Sequence, residues 1–154
     1  MPTHRLARVV LVGLAGLIAA SLSACDEKLS DLAGPSPNLQ PTFSSVQSEI
    51  FEKADASGRA ACTNCHTDVG RNPSSGLNLK HDTAFAALAN TVSRGKPGAR
   101  LVIPGDPDGS YLVQKLEGRT GIVGERMPRT GGPYLTAGQM TILKRWIANG
   151  AKND

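Results

Sequence analysis

The chain has 154 residues, enough for one domain with appendages, and its 4% aromatic content is thin for a core of that size. Its 17 Lys and Arg face 13 Asp and Glu without forming a basic run, which argues against a nucleic-acid-binding protein. Removing residues 1–24, with Arg5 and Arg8, leaves 15 basic against 13 acidic residues, a balance that points to no charged partner.

Residues 1–24 read as an export signal. His4, Arg5 and Arg8 form a basic start, and Val9 to Ala20 is an unbroken apolar run. Leu22-Ser23-Ala24-Cys25 then resembles the bacterial lipobox, which implies cleavage before Cys25 and a lipid on its sulfur. The alternative is an uncleaved anchor, but the apolar stretch ending at Ala24 is short against the roughly 20 residues that span a bilayer. Residues 25–43, with Gly34, Pro35, Pro37 and Pro41 among polar residues, are expected to be a flexible linker reaching roughly 20–25 Å. Residues 44–154 form the expected domain.

A first helix is expected from Ser44. Gln47 completes a Ser-x-x-Gln capping box, Val46, Ile50, Phe51 and Ala54 mark one apolar side, and Gly58 is the stop. Next comes Cys62-Thr63-Asn64-Cys65-His66, the attachment sequence for c-type haem. Two closely spaced thiols can add to the two vinyl groups on one porphyrin edge, and the adjacent imidazole can ligate iron from below. A redox dithiol would want a βαβ pattern, which is not seen. A zinc site would need four ligands, and only His81 lies near enough to join Cys62, Cys65 and His66. With haem on Cys62 and Cys65 and lipid on Cys25, no thiol remains for a disulfide. A backbone carbonyl in the loop through Pro73 and Gly76 is expected to accept the other ring N–H of His66.

A second helix is expected from Asp82 as cap, with Phe85, Leu88 and Val92 on one face and Gly95, Pro97 and Gly98 closing it. Pro104-Gly105-Asp106-Pro107 reads as a turn. A short helix follows, capped by Asp108 or Ser110, carrying Tyr111, Leu112 and Leu116 and stopped by Gly118. Residues 118–135 are too rich in glycine and proline for regular structure, and a loop of that length is usually functional. The best-marked element is the last helix. Thr136 and Gln139 form a capping box, Leu135 and Met140 a hydrophobic staple, Leu143, Trp146 and Ile147 the apolar face, and Gly150 the stop. No repeat or strand alternation appears, so the fold class is all-α.

The distal ligand decides function, because an open site binds small molecules whereas Met or His fills it. Met127, in the long loop and followed by Pro128, is the favoured candidate. His81, beside a helix cap, is the rival, and a site without a strong ligand is the third option. Met140 is explained by the staple.

From Phe43 to Ala151 the chain resembles class I c-type cytochromes, most closely the planctomycete-type monohaem domains of bacteria. The resemblance rests on Ile50-Phe51, Cys62-x-x-Cys65-His66, Gly76-Leu77-Asn78-Leu79, Pro104-Gly105-Asp106-Pro107, Ser110-Tyr111-Leu112, Lys115-Leu116, Met127-Pro128, Leu135, Trp146-Ile147 and Gly150-Ala151. The approach from Phe51 to Cys62 is longer than is usual for the class. The resemblance implies a cytochrome c-like domain of about four short helices wrapped around one covalent haem c, with His66 proximal and Met127 distal. The implied function is single-electron transfer between redox protein partners, not enzymatic turnover. The chain would be exported to the periplasmic side and tethered through Cys25 to the inner or outer membrane. The competing expectation is a haem sensor or peroxidase-like protein with an open or displaceable distal ligand.

Overall fold

A computed structural model describes residues 39–154; the expected leader, Cys25 and most of the expected linker lie outside the described residues. The packed domain begins earlier than expected, because Leu39 and Phe43 are both core residues. Helix α1, Phe43–Val46, is capped by Thr42, whose hydroxyl accepts from Ser45 N–H at 3.3 Å. Ser44 is therefore not the cap, and the Ser44/Gln47 box does not form.

The chain instead widens into a π-turn over Gln47–Phe51, closed by Glu52 N–H donating to the Gln47 carbonyl. The extra residue per turn lets Val46, Gln47, Ile50 and Phe51 all face inward. The helical run ends at Glu52, well before Gly58, and Ala54 is exposed.

Helix α2, Ala84–Leu88, starts after Thr83, not at Asp82, and is shorter than expected. Asn90 adopts a left-handed φ of 55°, and the chain turns back to pair with residues 99–102. Leu101 and Val102 N–H groups donate to Thr91 and Leu88, and Asn90 N–H donates to Val102. Thr91 Oγ1 also donates to the Ala86 carbonyl at 2.9 Å, satisfying a helix end. Val92 therefore leaves the helical face for an isolated bridge to Arg100 and is 49% exposed. Bridges Ala89–Val102 and Ile103–Asp106 accompany it, and no longer strand forms among the described residues.

Helix α3, Tyr111–Glu117, follows Ser110 and ends at Gly118 in the left-handed conformation. Ser110 Oγ does not cap the helix. It donates to Asp106 O at 2.7 Å and accepts from Ile103 N–H at 2.8 Å, locking the Pro104–Pro107 turn beneath the helix start. Helix α4, Ala137–Ala148, has both bonds of the Thr136/Gln139 capping box. Its end is a Schellman motif: Ala151 N–H donates to Trp146 O and Gly150 N–H to Ile147 O, with Gly150 at φ 99°.

One core joins these pieces. Phe43 meets Phe85 edge-on at 5.2 Å and Trp146 at 5.4 Å between ring centroids, so α1, α2 and α4 converge on one aromatic cluster. Asp154 completes the closure by accepting from both Phe43 and Ser44 N–H at the start of α1. Gly105 N–H donates to Ile147 O, tying the turn before α3 to the end of α4. The described residues form short helices and no strand, and the chain between the helices is held by backbone–backbone and side-chain to backbone bonds together.

Candidate haem-attachment site

Cys62–Asn64 forms a 3₁₀ turn in which Cys65 and His66 N–H groups both donate to the Cys62 carbonyl. The turn places Cys62 against the core and leaves Cys65 exposed. The Cys62 thiol lies 3.6 Å from the Ile50 carbonyl on the π-turn and 3.9 Å from Arg59 Nη1. Burial raises the Cys62 thiol pKa, with the Arg59 guanidinium pulling the other way.

His66 is held from behind. Its carbonyl accepts from Leu79 N–H at 2.8 Å, while Cys65 O accepts from Ser74 N–H at 3.0 Å. The ring is half-buried with Nδ1 turned inward, fully buried and without a hydrogen-bond partner. Burial lowers the imidazole pKa; the Leu77 and Ser74 carbonyls oppose that shift, and Arg71 adds to it. Those two carbonyls approach the ring, but neither makes the aligned bond expected of a ligand-orienting acceptor. The downward shift favours the neutral ring, the form that ligates metals. In the following loop Gly76 adopts a left-handed φ of 66°, which favours glycine, and an added Cβ would have to displace the exposed Arg94 side chain.

Met127 lies half-buried against the same core. Its N–H donates to Lys115 O at 2.9 Å. The loop around it is fastened to α3. Lys115 Nζ donates to the Val123 and Glu125 carbonyls, and Arg126 Nε donates to Leu116 O at 2.8 Å. The Arg126 guanidinium stacks 3.7 Å from the Tyr134 ring centroid. Arg126 is therefore occupied in fixing the loop, whereas Arg129 is exposed. Among the described residues no hydrogen bond or ion pair joins the Met127 loop to the Cys62–His66 turn; the shared element is the core. His81 is 69% exposed, with Nδ1 3.7 Å from Glu52.

These residues fit a covalent haem better than a zinc ion. Among the described residues no three His, Cys, Asp or Glu side chains converge to hold a metal, so Cys62, Cys65 and His66 do not form a ready-made cage. One inward thiol, one outward thiol and an adjacent imidazole suit two separate thioether bonds and a single iron ligand. The buried, unpaired Nδ1 is the remaining polar cost.

Two buried residues carry roles that the sequence reading did not assign. Arg59 sits beside Cys62, and its spacing of four residues from Asp55 was the available signal. Gln47, expected as a capping residue, instead turns inward and bonds to the Leu79 carbonyl, a partner that no local pattern marks. No protein family, curated protein or solved structure matches this chain.

Proposed function

We propose that this protein is a membrane-tethered monohaem c-type cytochrome that passes single electrons between redox protein partners on the periplasmic side. The observation that carries the reading is the Cys62–His66 turn itself: one thiol against the core, one exposed thiol and a half-buried imidazole on one turn. Cys62 and Cys65 hold the haem, His66 is the proximal ligand, Met127 the distal ligand, and Cys25 the lipidated residue. When bound, the haem supplies one-electron cycling of iron between its ferric and ferrous forms.

The chain's part is to hold and shield. The Leu79 bond to His66 O fixes the backbone from which the imidazole projects. The bonds from Lys115 and Arg126 fix the loop that carries Met127, so its thioether starts from a pinned backbone. Half-buried Leu77, Phe85 and Leu101, packed on the core, offer apolar surface for a porphyrin. Such a group would offset the scarcity of aromatic residues.

The test is a visible spectrum of the full chain produced with cytochrome c maturation machinery. Haem that survives acid-acetone extraction, with a far-red sulfur-to-iron band when oxidised, is the expected result. Extractable haem or none overturns the reading. Covalent haem without that band, together with ready binding of carbon monoxide, would make the protein a sensor or peroxidase-like one.

A further inference from the structure

Arg59, 1% exposed, is the most deeply buried charged residue among those described. Every nitrogen of its guanidinium is engaged. Nε donates to Asp55 Oδ2 at 3.0 Å, Nη2 to Lys53 O at 3.2 Å, and Nη1 to the Ile50 and Ala60 carbonyls at 3.1 and 3.2 Å. Asp55 is equally enclosed, its side chain 5% exposed, and accepts from the N–H groups of Ser57 and Arg59. This pair fills the unusually long approach between Phe51 and Cys62.

Closing a ten-residue loop does not require a buried ion pair, since well-packed apolar residues serve as well or better. What the charges add is a field. Nη1, one of the two guanidinium nitrogens not bonded to Asp55, lies 3.9 Å from Cys62 Sγ. The positive end of the pair is thus turned towards the atom that would join the porphyrin, in a place where water screens little.

We propose that the buried Arg59–Asp55 pair sets the reduction potential of the haem carried on Cys62, with Arg59 raising it and Asp55 moderating that rise. The inference rests on Cys62 being a haem thioether. On reduction the iron gains one electron from its donor, no proton moves, and the site's charge falls by one. A nearby cation therefore favours the reduced form and a nearby carboxylate disfavours it. Arg59 and Asp55 are positioning residues in this sense, since neither is a ligand.

The test compares midpoint potentials, by redox titration at fixed pH, of the haem-loaded full chain and three variants. Asp55→Asn leaves the guanidinium uncompensated and raises the potential. Arg59→Gln leaves the carboxylate uncompensated and lowers it. Arg59→Lys keeps the charge and stays closer to the parent than Arg59→Gln does. Mere loosening of the loop would admit water in both neutralising variants and move them the same way. Shifts of the same sign, or no shift, overturn the inference. If Arg59→Gln fails to fold, Asp55→Asn alone decides, and an unmoved or lowered potential rejects the proposal. Covalent haem with unmoved potentials removes this inference and leaves the cytochrome reading intact; a chain without covalent haem removes both.

Discussion

The side-chain amide of Gln47 donates to the carbonyl of Leu79 at 2.8 Å, a buried bond spanning 32 residues. Leu79 N–H donates in turn to the His66 carbonyl. The π-turn that brings Gln47 inward is thereby linked to the backbone of the candidate proximal ligand. Gln47→Leu keeps volume but leaves the Leu79 carbonyl without that donor. The expected loss is about 1 kcal/mol, at the low end for an orphaned buried acceptor, because Gln47 Oε1 is itself buried without a partner and its removal returns something. Urea unfolding of variant and parent measures it, and equal stability would show that the bond does not restrain the fold.

Arg59→Ala should cost far more. It removes a charge buried against Asp55 and strips donors from the Ile50, Lys53 and Ala60 carbonyls. Breaking a buried pair by deleting one partner typically costs about 3–5 kcal/mol. Chemical denaturation of the same preparations reads the difference. A loss below about 1 kcal/mol would be that of a surface pair and would contradict the enclosure described above.

Asp55 also gives stability a pH dependence. Burial works to raise its pKa, but hydrogen bonds from Ser57 and Arg59 and the guanidinium charge outweigh it, so the folded carboxyl is held below its ordinary value. The unfolded chain therefore takes up this proton first as pH falls. The stabilisation is complete above the unfolded value and is lost as pH drops through the folded one. Asp108 and Glu117 are shifted in the same sense by Arg119 and Lys144 but are more exposed, so screening weakens their share. Asp55→Asn should flatten the acid limb of a stability–pH curve and leave its slope near neutrality unchanged. An acid limb as steep as the parent's would assign that limb to other carboxylates.

What the sequence revealed and what it hid divide along the range of the interactions. The Thr136/Gln139 box, the Gly118 and Gly150 stops and the Cys62–His66 turn depend on residues within a few positions of one another, and such patterns can be read directly. At the first helix two caps compete: Thr42 captures Ser45, while Gln47 is drawn inward by Leu79, and no local pattern announces a partner so far along the chain. The second helix fails after Leu88 because Asn90 and Thr91 bond to Val102 and Leu101, again a non-local gain overriding the apolar spacing that Val92 continues. Met127 lies between these cases. Its loop was marked by glycine and proline, but the Lys115 and Arg126 bonds that fasten it appear only in three dimensions.

Thr136→Ala tests the local end of that scale. It removes the oxygen that accepts from Gln139 N–H, while Gln139 Oε1 can still accept from residue 136 N–H. The expected loss is about 1 kcal/mol, the usual cost of an N-cap. Thermal unfolding measures it, and Thr136→Ser, which restores the hydroxyl, should recover most of the difference. Failure of serine to rescue would mean that the threonine methyl, not the cap, was responsible.

Met127→Ala and His81→Ala together test the distal assignment. Met127 presents a half-buried thioether from a loop bonded to α3, whereas His81 is exposed beside Glu52 and would have to leave solvent to reach iron. Met127→Ala should keep covalent haem, since Cys62, Cys65 and His66 are untouched, but lose the far-red sulfur-to-iron band and gain carbon monoxide binding in the reduced state. His81→Ala should change neither spectrum nor binding. Because Met127 also packs on the core, Met127→Leu supplies the control: it fills the space without a sulfur, so loss of the band in a variant of near-parental stability isolates ligation from packing. If Met127→Leu kept the band, the sulfur on iron would not be that of Met127, and the distal assignment would fail while the thioether attachment stood.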